Sequence, residues 1–207
     1  MSEDKGFELR FCNSASCALA VVNTEELLPK LEKILENANL GAFYQSLGLK
    51  GKKRRCFRVA VAACPNACTQ VHIADYGTIG QAVPALEGDC NTCGVCVDVC
   101  EEEAITLFED RFPMINFEYC INCGACIRAC PQDALKAESL GYKILVGGKL
   151  GRHPMLAKEV FALVSAEKAA EILDKTISFY QKHCKSGERL RVIIEKLGWD
   201  TYLAAIS

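Results

Sequence analysis

The sequence predicts an α+β protein whose chain is interrupted by a compact cysteine-rich insert. Apolar segments typical of buried strands lie on both sides of the insert, at Phe57–Ala63 before it and at Lys143–Val146 after it. Segments with helical periodicity flank these strands, and this mixture defines the α+β class. Eight of the fourteen cysteines mark the insert, which we place at residues 87–137. We therefore expect residues 1–86 and 138–207 to form one discontinuous domain around it.

Glycines bound the remaining strand candidates. Val71–Asp75 is a second apolar stretch, and the glycines of Gly77–Gly80 are interpreted as turns around a short third one. Gly141 opens the strand that follows the insert, and Gly147 ends it.

Three helices are predicted from apolar periodicity and capping residues. The first has an apolar face formed by Leu27, Leu31, Ile34, Leu35 and Ala38. Ser165 is the predicted N-cap of a second helix that runs to about His183. Its apolar face contains Ala169, Ile172, Leu173, Thr176, Ile177 and Tyr180. A last helix is expected between Gly187 and Gly198, with Gly198 as its C-terminal cap.

Two cysteine arrays, thirty residues apart, share the spacing C-x2-C-x2-C-x3-C. They comprise Cys90, Cys93, Cys96 and Cys100, and then Cys120, Cys123, Cys126 and Cys130. Pro131 follows the second array, whereas Glu101 follows the first. This spacing is the bacterial ferredoxin pattern, in which thiolates bind [4Fe-4S] clusters. Zinc is the alternative, although zinc sites usually pair two C-x2-4-C knuckles or add histidines.

The same spacing predicts that the two arrays share their clusters. In two-cluster ferredoxins the fourth cysteine of each run ligates the other cluster. One cluster is therefore expected on Cys90, Cys93, Cys96 and Cys130, and the other on Cys120, Cys123, Cys126 and Cys100. Disulfides are a poor alternative, because Met1–Lys5 shows no apolar signal segment and disulfide scaffolds are usually secreted. We expect a cytoplasmic protein without a membrane span.

Charge is distributed unevenly along the chain. Residues 87–137 contain ten acidic and three basic side chains, a net charge of −7, and the remainder has a net charge of +5. An acidic insert suits docking of a redox electron donor, or it serves solubility alone. The basic run comprises Lys50, Lys52, Lys53, Arg54, Arg55 and Arg58. It is a solvated face, a nucleic-acid contact without a supporting motif, or a binding site for a polyanion.

Four further cysteines form two pairs outside the arrays. Cys12 and Cys17 have the spacing C-x4-C, and Cys64 and Cys68 have the spacing C-x3-C. Each pair follows a strand-like segment, so we expect the cysteines on loops where backbone amides can face a cluster. Four thiolates suffice for a third [4Fe-4S] cluster. Taken alone, they are equally consistent with small buried hydrophobic residues.

Three segments resemble the cluster-bearing half of the sulfite and nitrite reductase family. "VAVAACPNACTQVHI" resembles the family's C-x3-C segment, and "GYKILVGGKLGRHPMLAKEV" resembles its glycine-rich GG-x2-G loop. "ILDKTISFYQKHCKSGERLRVIIEKLG" resembles the tail of members with an inserted ferredoxin. The family's first cysteine pair is spaced C-x5-C, one residue longer than here. The resemblance covers nearly the whole chain and implies a sulfite/nitrite reductase-like half-domain.

The resemblance also implies cofactors and their ligands. Cys12, Cys17, Cys64 and Cys68 would bind a third [4Fe-4S] cluster, with Cys68 bridging it to the iron of sirohaem; Cys56 is a weaker replacement ligand. The carboxylates of sirohaem need basic partners, for which the candidates are Arg10, Lys52, Lys53, Arg54, Arg55, Arg58, Lys149 and Arg152. Cys68, Lys149 and Arg152 are the candidate catalytic residues. His153 is either a proton donor or a structural surface residue.

Two main hypotheses about function follow. The first is an anaerobic oxidoreductase that passes electrons through ferredoxin clusters to a [4Fe-4S]–sirohaem centre, which reduces a small inorganic anion, sulfite or nitrite. Family enzymes contain two related halves and this chain has one, so a homodimer or a partner reductase subunit is implied. The second is an electron-transfer protein or subunit without catalysis of its own. A sirohaem carrier or assembly protein is a third option, and no nucleic-acid partner is expected.

Overall fold

A five-stranded mixed sheet forms the centre of the computed structural model, which describes residues 5–49, 56–108 and 112–207. Its strands, in spatial order, are β1 (Phe7–Phe11), β2 (Phe57–Ala62), β3 (Tyr76–Leu86), β6 (Leu135–Val146) and β7 (Lys158–Val164). The first three run parallel, and β6 and β7 are antiparallel to their neighbours. Strands β4 (Ile105–Phe108) and β5 (Phe112–Ile115) pair as a separate two-stranded sheet.

Helices cover one face of the main sheet and also build the insert. Those packed with the sheet are α1 (Leu27–Asn37), α2 (Leu40–Ser46), α5 (Ala166–His183), α6 (Leu190–Leu197) and α7 (Trp199–Ile206). The insert contains the short helices α3 (Val95–Asp98) and α4 (Ala125–Ala129). Single 3-10 turns lie at Ser14–Ser16 and Val71–Ile73. The predicted α+β class is therefore confirmed.

Helix α5 is the main element that packs against the sheet, and it forms as its sequence predicts. Ser165 caps it, because its hydroxyl accepts a hydrogen bond from the amide of Lys168 at 3.2 Å. All six predicted face residues are buried. Tyr76 on β3 donates its hydroxyl hydrogen to the carbonyl oxygen of Ala169 at 2.6 Å. The predicted face of α1 is also confirmed, with Leu27, Leu31 and Leu35 buried and Ile34 and Ala38 packed against the same core.

The prediction of turns at Gly77–Gly80 is wrong, because β3 runs through them without a break. A Cβ at Gly77 would lie 2.9 Å from the carbonyl oxygen of Val71, and one at Gly80 would lie 2.4 Å from that of Ala63. These glycines allow other parts of the backbone to approach the strand, a role that glycine has inside strands as well as in turns. Val71–Asp75 is likewise no strand, since its first part is the 3-10 turn.

The prediction that the last helix ends at Gly198 is incomplete. Gly198 does end α6, with φ of 92°, but α7 begins directly after it. Tyr202 on α7 is fully buried, and its hydroxyl lies 2.8 Å from that of Thr176 on α5. This tertiary contact stabilises an eight-residue helix that would be marginal alone.

The insert lies at the far end of two long paired strands. β3 and β6 pair from Tyr76 with Val146 to Leu86 with Leu135, so the chain leaves and re-enters the sheet at adjacent positions. Within the described residues, no helix has the length and apolar character needed to cross a membrane.

Candidate metal centres

The two cysteine arrays share an unusual backbone geometry that repeats after thirty residues. Gly94 and Gly124 have φ of 79° and 65° and directly precede α3 and α4. Two further positions in or directly after each array, both occupied by residues other than glycine, match in the same way: Thr92 with Asn122 at 58° each, and Glu103 with Asp133 at 50° and 52°. Positive φ is uncommon for such residues. Its exact repetition indicates that both arrays fold into the same loop around the same kind of ligand.

Backbone amides in both loops point at cysteine sulfurs. The amide of Ala104 donates to Cys100 Sγ, and the amide of Ala134 donates to Cys130 Sγ, both at 3.3 Å. The amide of Thr92 donates to Cys90 Sγ at 3.4 Å. Hydrogen bonds of this kind stabilise thiolates over thiols, and thiolates are the form that binds metal.

The cysteines surround two cavities that mix the arrays. A cavity of about 340 Å³ is lined by Cys90, Cys93, Cys96 and Cys130. A second, of about 330 Å³, is lined by Cys100, Cys120, Cys123 and Cys126. These are the two sets that crossed ligation requires. The structure therefore brings the eight array cysteines together in the predicted groups.

Burial is the main cause of the raised pKa values among the array thiols. Burial raises the pKa of Cys126 to about 11, with further contributions from Cys120 and Cys123. Burial also raises the pKa of Cys96 and of Cys120. The pKa of Cys130 is lowered instead, mainly by a hydrogen bond from the backbone of Leu135. Crowded thiolates need a cationic centre to neutralise them, and binding one releases the protons.

The third group of four cysteines lies at one edge of the main sheet. β1 and β2 are parallel neighbours, so their carboxyl ends lie together, and Cys12 and Cys64 follow those ends. The amide of Ala63 donates to Cys12 Sγ at 3.2 Å. Burial raises the pKa of Cys64, and the nearby Cys17, Cys12 and Cys68 raise it further. The structure therefore brings Cys12, Cys17, Cys64 and Cys68 together.

Sequence reasoning missed a side chain that contacts this group. The amide nitrogen Nδ2 of Asn66 donates to Cys68 Sγ at 3.0 Å. The spacing of Cys64 and Cys68 gives no signal of this contact, which depends on the fold of the intervening turn.

Cys56 and Cys184 belong to none of the three groups. Cys184 is buried, and its sulfur lies 3.8 Å from the carbonyl oxygen of Glu188. Cys56 directly precedes β2 and is half-buried. None of the fourteen cysteines forms a disulfide. Among the described residues, no three Cys, His, Asp or Glu side chains are placed to hold a single metal ion. A cubane differs from such a site, because its four cysteine ligands are distributed over the cluster.

A cleft joins the second array group to the third group. It has a volume of about 970 Å³, and both Cys64 and Cys123 line it. The insert is hydrogen-bonded to β3 beside this cleft. The amide of Ala82 donates to the carbonyl oxygen of Asn122 at 2.9 Å, and Gln81 Nε2 donates to that of Ile121 at 3.3 Å. The cavity containing Cys100 and Cys120 is thus the one that adjoins the main domain.

The predicted basic residues that the structure describes lie in two regions, one around Arg10 and Arg58 and the other on the loop that contains Lys149. Arg10 and Arg58 lie on neighbouring strands, line one small cavity, and both pair with Glu8, at 2.7 and 3.4 Å. Lys50, Lys52, Lys53, Arg54 and Arg55 lie outside the described residues. Arg10 and Arg58 are therefore partly neutralised by Glu8.

Lys149, Arg152 and His153 lie on the loop at residues 147–157, which connects β6 to β7. The ends of this loop are held by α6 and its N-cap, because Arg189 donates to the carbonyl oxygen of Gly148 at 3.0 Å and Arg191 to that of Leu156 at 3.2 Å. A Cβ at Gly148 would lie 2.5 Å from the carbonyl oxygen of His72. The loop is therefore held against the 3-10 turn that follows the Cys68 segment.

A buried ion pair that the sequence did not reveal supports this loop. Asp75 Oδ1 accepts a hydrogen bond from Arg189 Nε at 2.8 Å, and its Oδ2 accepts one from the amide of Arg58 at 3.0 Å. Burial raises the pKa of Asp75, and the guanidinium of Arg189 opposes that shift. Asp75 thereby links the end of the 3-10 turn to the loop that contains Lys149.

The groups present fit the cofactors that the sequence suggests. Three sets of four thiolates, each with an amide donor to sulfur, suit [4Fe-4S] clusters. For a carboxylate-rich tetrapyrrole, the loop offers Lys149 and Arg152, neither of which forms an ion pair with any described residue. Leu150 and Leu156 on the same loop are 63% and 68% exposed and offer apolar contact. The donor chemistry therefore fits sirohaem as well.

The fold and these cysteine groups define an iron–sulfur protein with a ferredoxin-type insert. A model of the nitrite and sulphite reductase 4Fe-4S domain family matches residues 11–207. This chain belongs to that family.

Two curated relatives are informative. The coenzyme F420-dependent sulfite reductase of Methanocaldococcus jannaschii is 36% identical over 154 residues, which cover 72% of this chain and 24% of that protein. A ferredoxin of Methanothermococcus thermolithotrophicus is 42% identical over 55 residues, 27% of this chain and 88% of the ferredoxin. The chain thus spans about a quarter of the sulfite reductase it resembles.

Solved structures show the same fold. Dissimilatory sulfite reductase I aligns with 96% of this chain and 51% of its own at a TM-score of 0.69 and 18% identity. The NirA protein of Mycobacterium tuberculosis aligns with 94% of this chain and 26% of its own at a TM-score of 0.50 and 18% identity.

Proposed function

We propose that this chain is the iron–sulfur half-domain of an oxidoreductase that reduces sulfite or nitrite. The observation that carries the proposal is the third cysteine group, which lies on the edge of the main sheet and outside the ferredoxin-type insert. An electron carrier alone needs only the insert. Four more thiolates, together with a loop whose Lys149 and Arg152 form no ion pair with described residues, indicate a second task.

Each group of residues has a defined part in this proposal. Cys90, Cys93, Cys96 and Cys130 hold one cluster, Cys100, Cys120, Cys123 and Cys126 the second, and Cys12, Cys17, Cys64 and Cys68 the third. When bound, the clusters carry single electrons and sirohaem supplies the iron at which the anion is reduced. The backbone amides of Ala63, Ala104 and Ala134 stabilise the thiolates.

The loop at residues 147–157 binds the negatively charged components. Lys149 and Arg152 would bind carboxylates of sirohaem or the anionic substrate, and Arg10, Lys53, Arg54, Arg55 and Arg58 are further candidates for the carboxylates. Cys68 is the proposed bridging thiolate, and Asn66 stabilises its charge. Arg189 and Arg191 fix the loop so that these contacts are preorganised.

A complete cofactor pocket needs both faces of the planar ring covered. We propose that a second copy of this chain or a larger reductase subunit covers the face that bears Cys68 and Lys149. The exposed side chains of Leu150 and Leu156 support this, since both would be buried there.

The absorption spectrum of anaerobically purified protein tests the proposal. We expect the red bands of sirohaem beside the broad absorption of iron–sulfur clusters, and turnover of sulfite or nitrite with reduced viologen. Cys68→Ser should abolish turnover, whereas Cys56→Ser, a matched change outside the three groups, should retain it. Clusters without sirohaem and without turnover would contradict the proposal.

That outcome would favour an electron-transfer subunit without catalysis of its own. The ferredoxin relative supports this second candidate, because 88% of its length aligns with this chain.

A further inference from the structure

The two cysteine cavities of the insert have matching walls, because the arrays repeat after thirty residues. The first cavity is lined by Cys90, Cys93, Cys96 and Cys130, and the second by Cys100, Cys120, Cys123 and Cys126. Gly94 also lines the first cavity, and Gly124 lines the second. In the same way, Leu135 lines the first and Ile105 the second. The two cavities can therefore be compared position by position.

One pair of matching positions differs in charge. Gln132 lines the first cavity, whereas Glu102, thirty residues earlier, lines the second. Each lies two residues after the last cysteine of its array. Among the described residues that line the two cavities, Glu102 is the only Asp, Glu, Lys or Arg. The second cavity thus has a carboxylate where the first has a neutral amide.

Glu102 also lies where the insert meets the main domain. It lines the cleft of about 970 Å³ that Cys64 and Cys123 line, and it forms no ion pair with a described Lys or Arg. Arg128 lines the same cleft and donates to the carbonyl oxygen of Cys123 at 3.1 Å. Neither Arg128 nor Asp98, its counterpart in the first array, lines a cysteine cavity. Glu102 is therefore the charged residue nearest to the second cavity in the described insert.

A carboxylate in this position opposes reduction of a cluster in the second cavity. Reduction adds one electron, so the reduced cluster is repelled more strongly by a neighbouring negative charge than the oxidised cluster is. Net charge around a [4Fe-4S] cluster is one of the factors that determine its reduction potential.

We propose that Glu102 gives the cluster of the second cavity a lower reduction potential than the cluster of the first cavity. The stronger reductant of the insert is then the one beside the third cysteine group, where a low potential increases the driving force for transfer to that group. The inference rests on the proposed function and adds the residue that makes the two clusters of the insert unequal.

An anaerobic redox titration of the cluster-loaded protein tests this inference. Dithionite is the reductant, and electron paramagnetic resonance of the reduced clusters is the readout. The signal that Cys100→Ala alters identifies the cluster of the second cavity. Glu102→Gln gives the second cavity the side chain found in the first, and we expect its cluster to become easier to reduce. At a fixed potential, the ratio of reduced to oxidised cluster should rise about tenfold, which corresponds to about 59 mV for one electron.

Charge changes of opposite sign separate electrostatics from a structural effect. Gln132→Glu should make the cluster of the first cavity harder to reduce by a similar factor, and Arg128→Gln should do the same, more weakly, at the second cavity. Glu102→Asp keeps the charge and should keep most of the wild-type difference. Glu103→Gln is the matched control: it removes the same charge one residue further along, from a side chain that lines neither cavity, and should shift the second potential less than half as much.

Several outcomes would overturn the proposal. One is a wild-type potential at the second cavity that equals or exceeds the potential at the first. Others are equal shifts in Glu102→Gln and Glu103→Gln, or shifts of the same sign in Glu102→Gln and Arg128→Gln. If Glu102→Gln binds less iron than the wild type, Gln132→Glu applies the same test at the first cavity, and an unchanged potential there would overturn the proposal. Absence of sulfite or nitrite turnover would contradict the proposed function and leave these potentials unaffected.

Discussion

Replacement of Arg189 by Gln should destabilise this protein far more than loss of an ordinary surface ion pair. Arg189 pairs with Asp75, whose side chain is 2% exposed, and also donates to the carbonyl oxygen of Gly148. Without the guanidinium, Asp75 Oδ1 and the Gly148 carbonyl lose their partners. A buried charge left unpaired costs about 3–5 kcal/mol. Because the side chain of Arg189 is itself 24% exposed, water partly replaces it, and we expect a loss of about 3 kcal/mol.

The loss should depend on pH with a defined sign. Burial raises the folded-state pKa of Asp75 above its unfolded value, and Arg189 limits that rise. A carboxyl group whose pKa is higher in the folded state than in the unfolded state stabilises the fold when it is protonated in both states, below its unfolded-state pKa. That stabilisation is lost as pH rises through its folded-state pKa. In the Arg189→Gln variant, the pKa of Asp75 in the folded state rises further. The deficit of the variant relative to the wild type should therefore be larger at about pH 8 than at about pH 5.

The assay is anaerobic urea unfolding of the cluster-loaded protein, followed by the fluorescence of Trp199, the single tryptophan. Lys168→Gln is the control, because Lys168 pairs with Glu171 at the surface and should contribute less than about 1 kcal/mol. Asp75→Asn/Arg189→Gln removes both charges and should recover part of the loss. Equal midpoints for Arg189→Gln and Lys168→Gln, or a deficit that shrinks as pH rises, would refute this account of the ion pair.

Three further predictions concern the metal centres and the loop. Anaerobic, reconstituted protein should contain about twelve irons per chain in its clusters. A content of about eight irons would contradict the prediction of a third cluster. Cys100→Ala should alter the electron paramagnetic resonance signal of the cluster held by Cys120, Cys123 and Cys126, and a change confined to the Cys90–Cys93–Cys96 cluster would contradict the crossed grouping. Gly148→Ala should lower the thermal midpoint, because its Cβ would lie 2.5 Å from the His72 carbonyl oxygen; an unchanged midpoint would contradict that close approach.

The sequence predicted the parts of this fold whose signals are local. The cap at Ser165 and the apolar faces of α1 and α5 depend on residues within a few turns of one another, and the structure confirms them. The spacing of the cysteines also predicts the two mixed groups, because two-cluster ferredoxins with this spacing share the fourth cysteine of each array in the same way. In the structure, each of the two cavities is lined by one of these groups.

Features that depend on distant contacts could not be predicted in this way. In the sequence, Gly77 and Gly80 suggest turns. Their actual role, close approach of the backbone of Val71 and Ala63 to the strand, depends on residues that the local pattern does not include. The ion pair between Asp75 and Arg189 joins residues 114 positions apart, and no local spacing indicates that they meet. The hydrogen bond from Asn66 to Cys68 depends on how one turn folds.

The position of the insert explains how one chain accommodates cysteine groups both in the insert and in the main domain. Because β3 and β6 remain paired from Tyr76 to Leu86, the insert begins and ends at adjacent positions and does not interrupt the core beneath α5. A free two-stranded arm would leave the insert free to rotate. The bonds from Ala82 to Asn122 and from Gln81 to Ile121 oppose that rotation, because they attach the second array to the side of the arm. The cavity lined by Cys120, Cys123 and Cys126 is thereby held next to the cleft that Cys64 and Cys123 line.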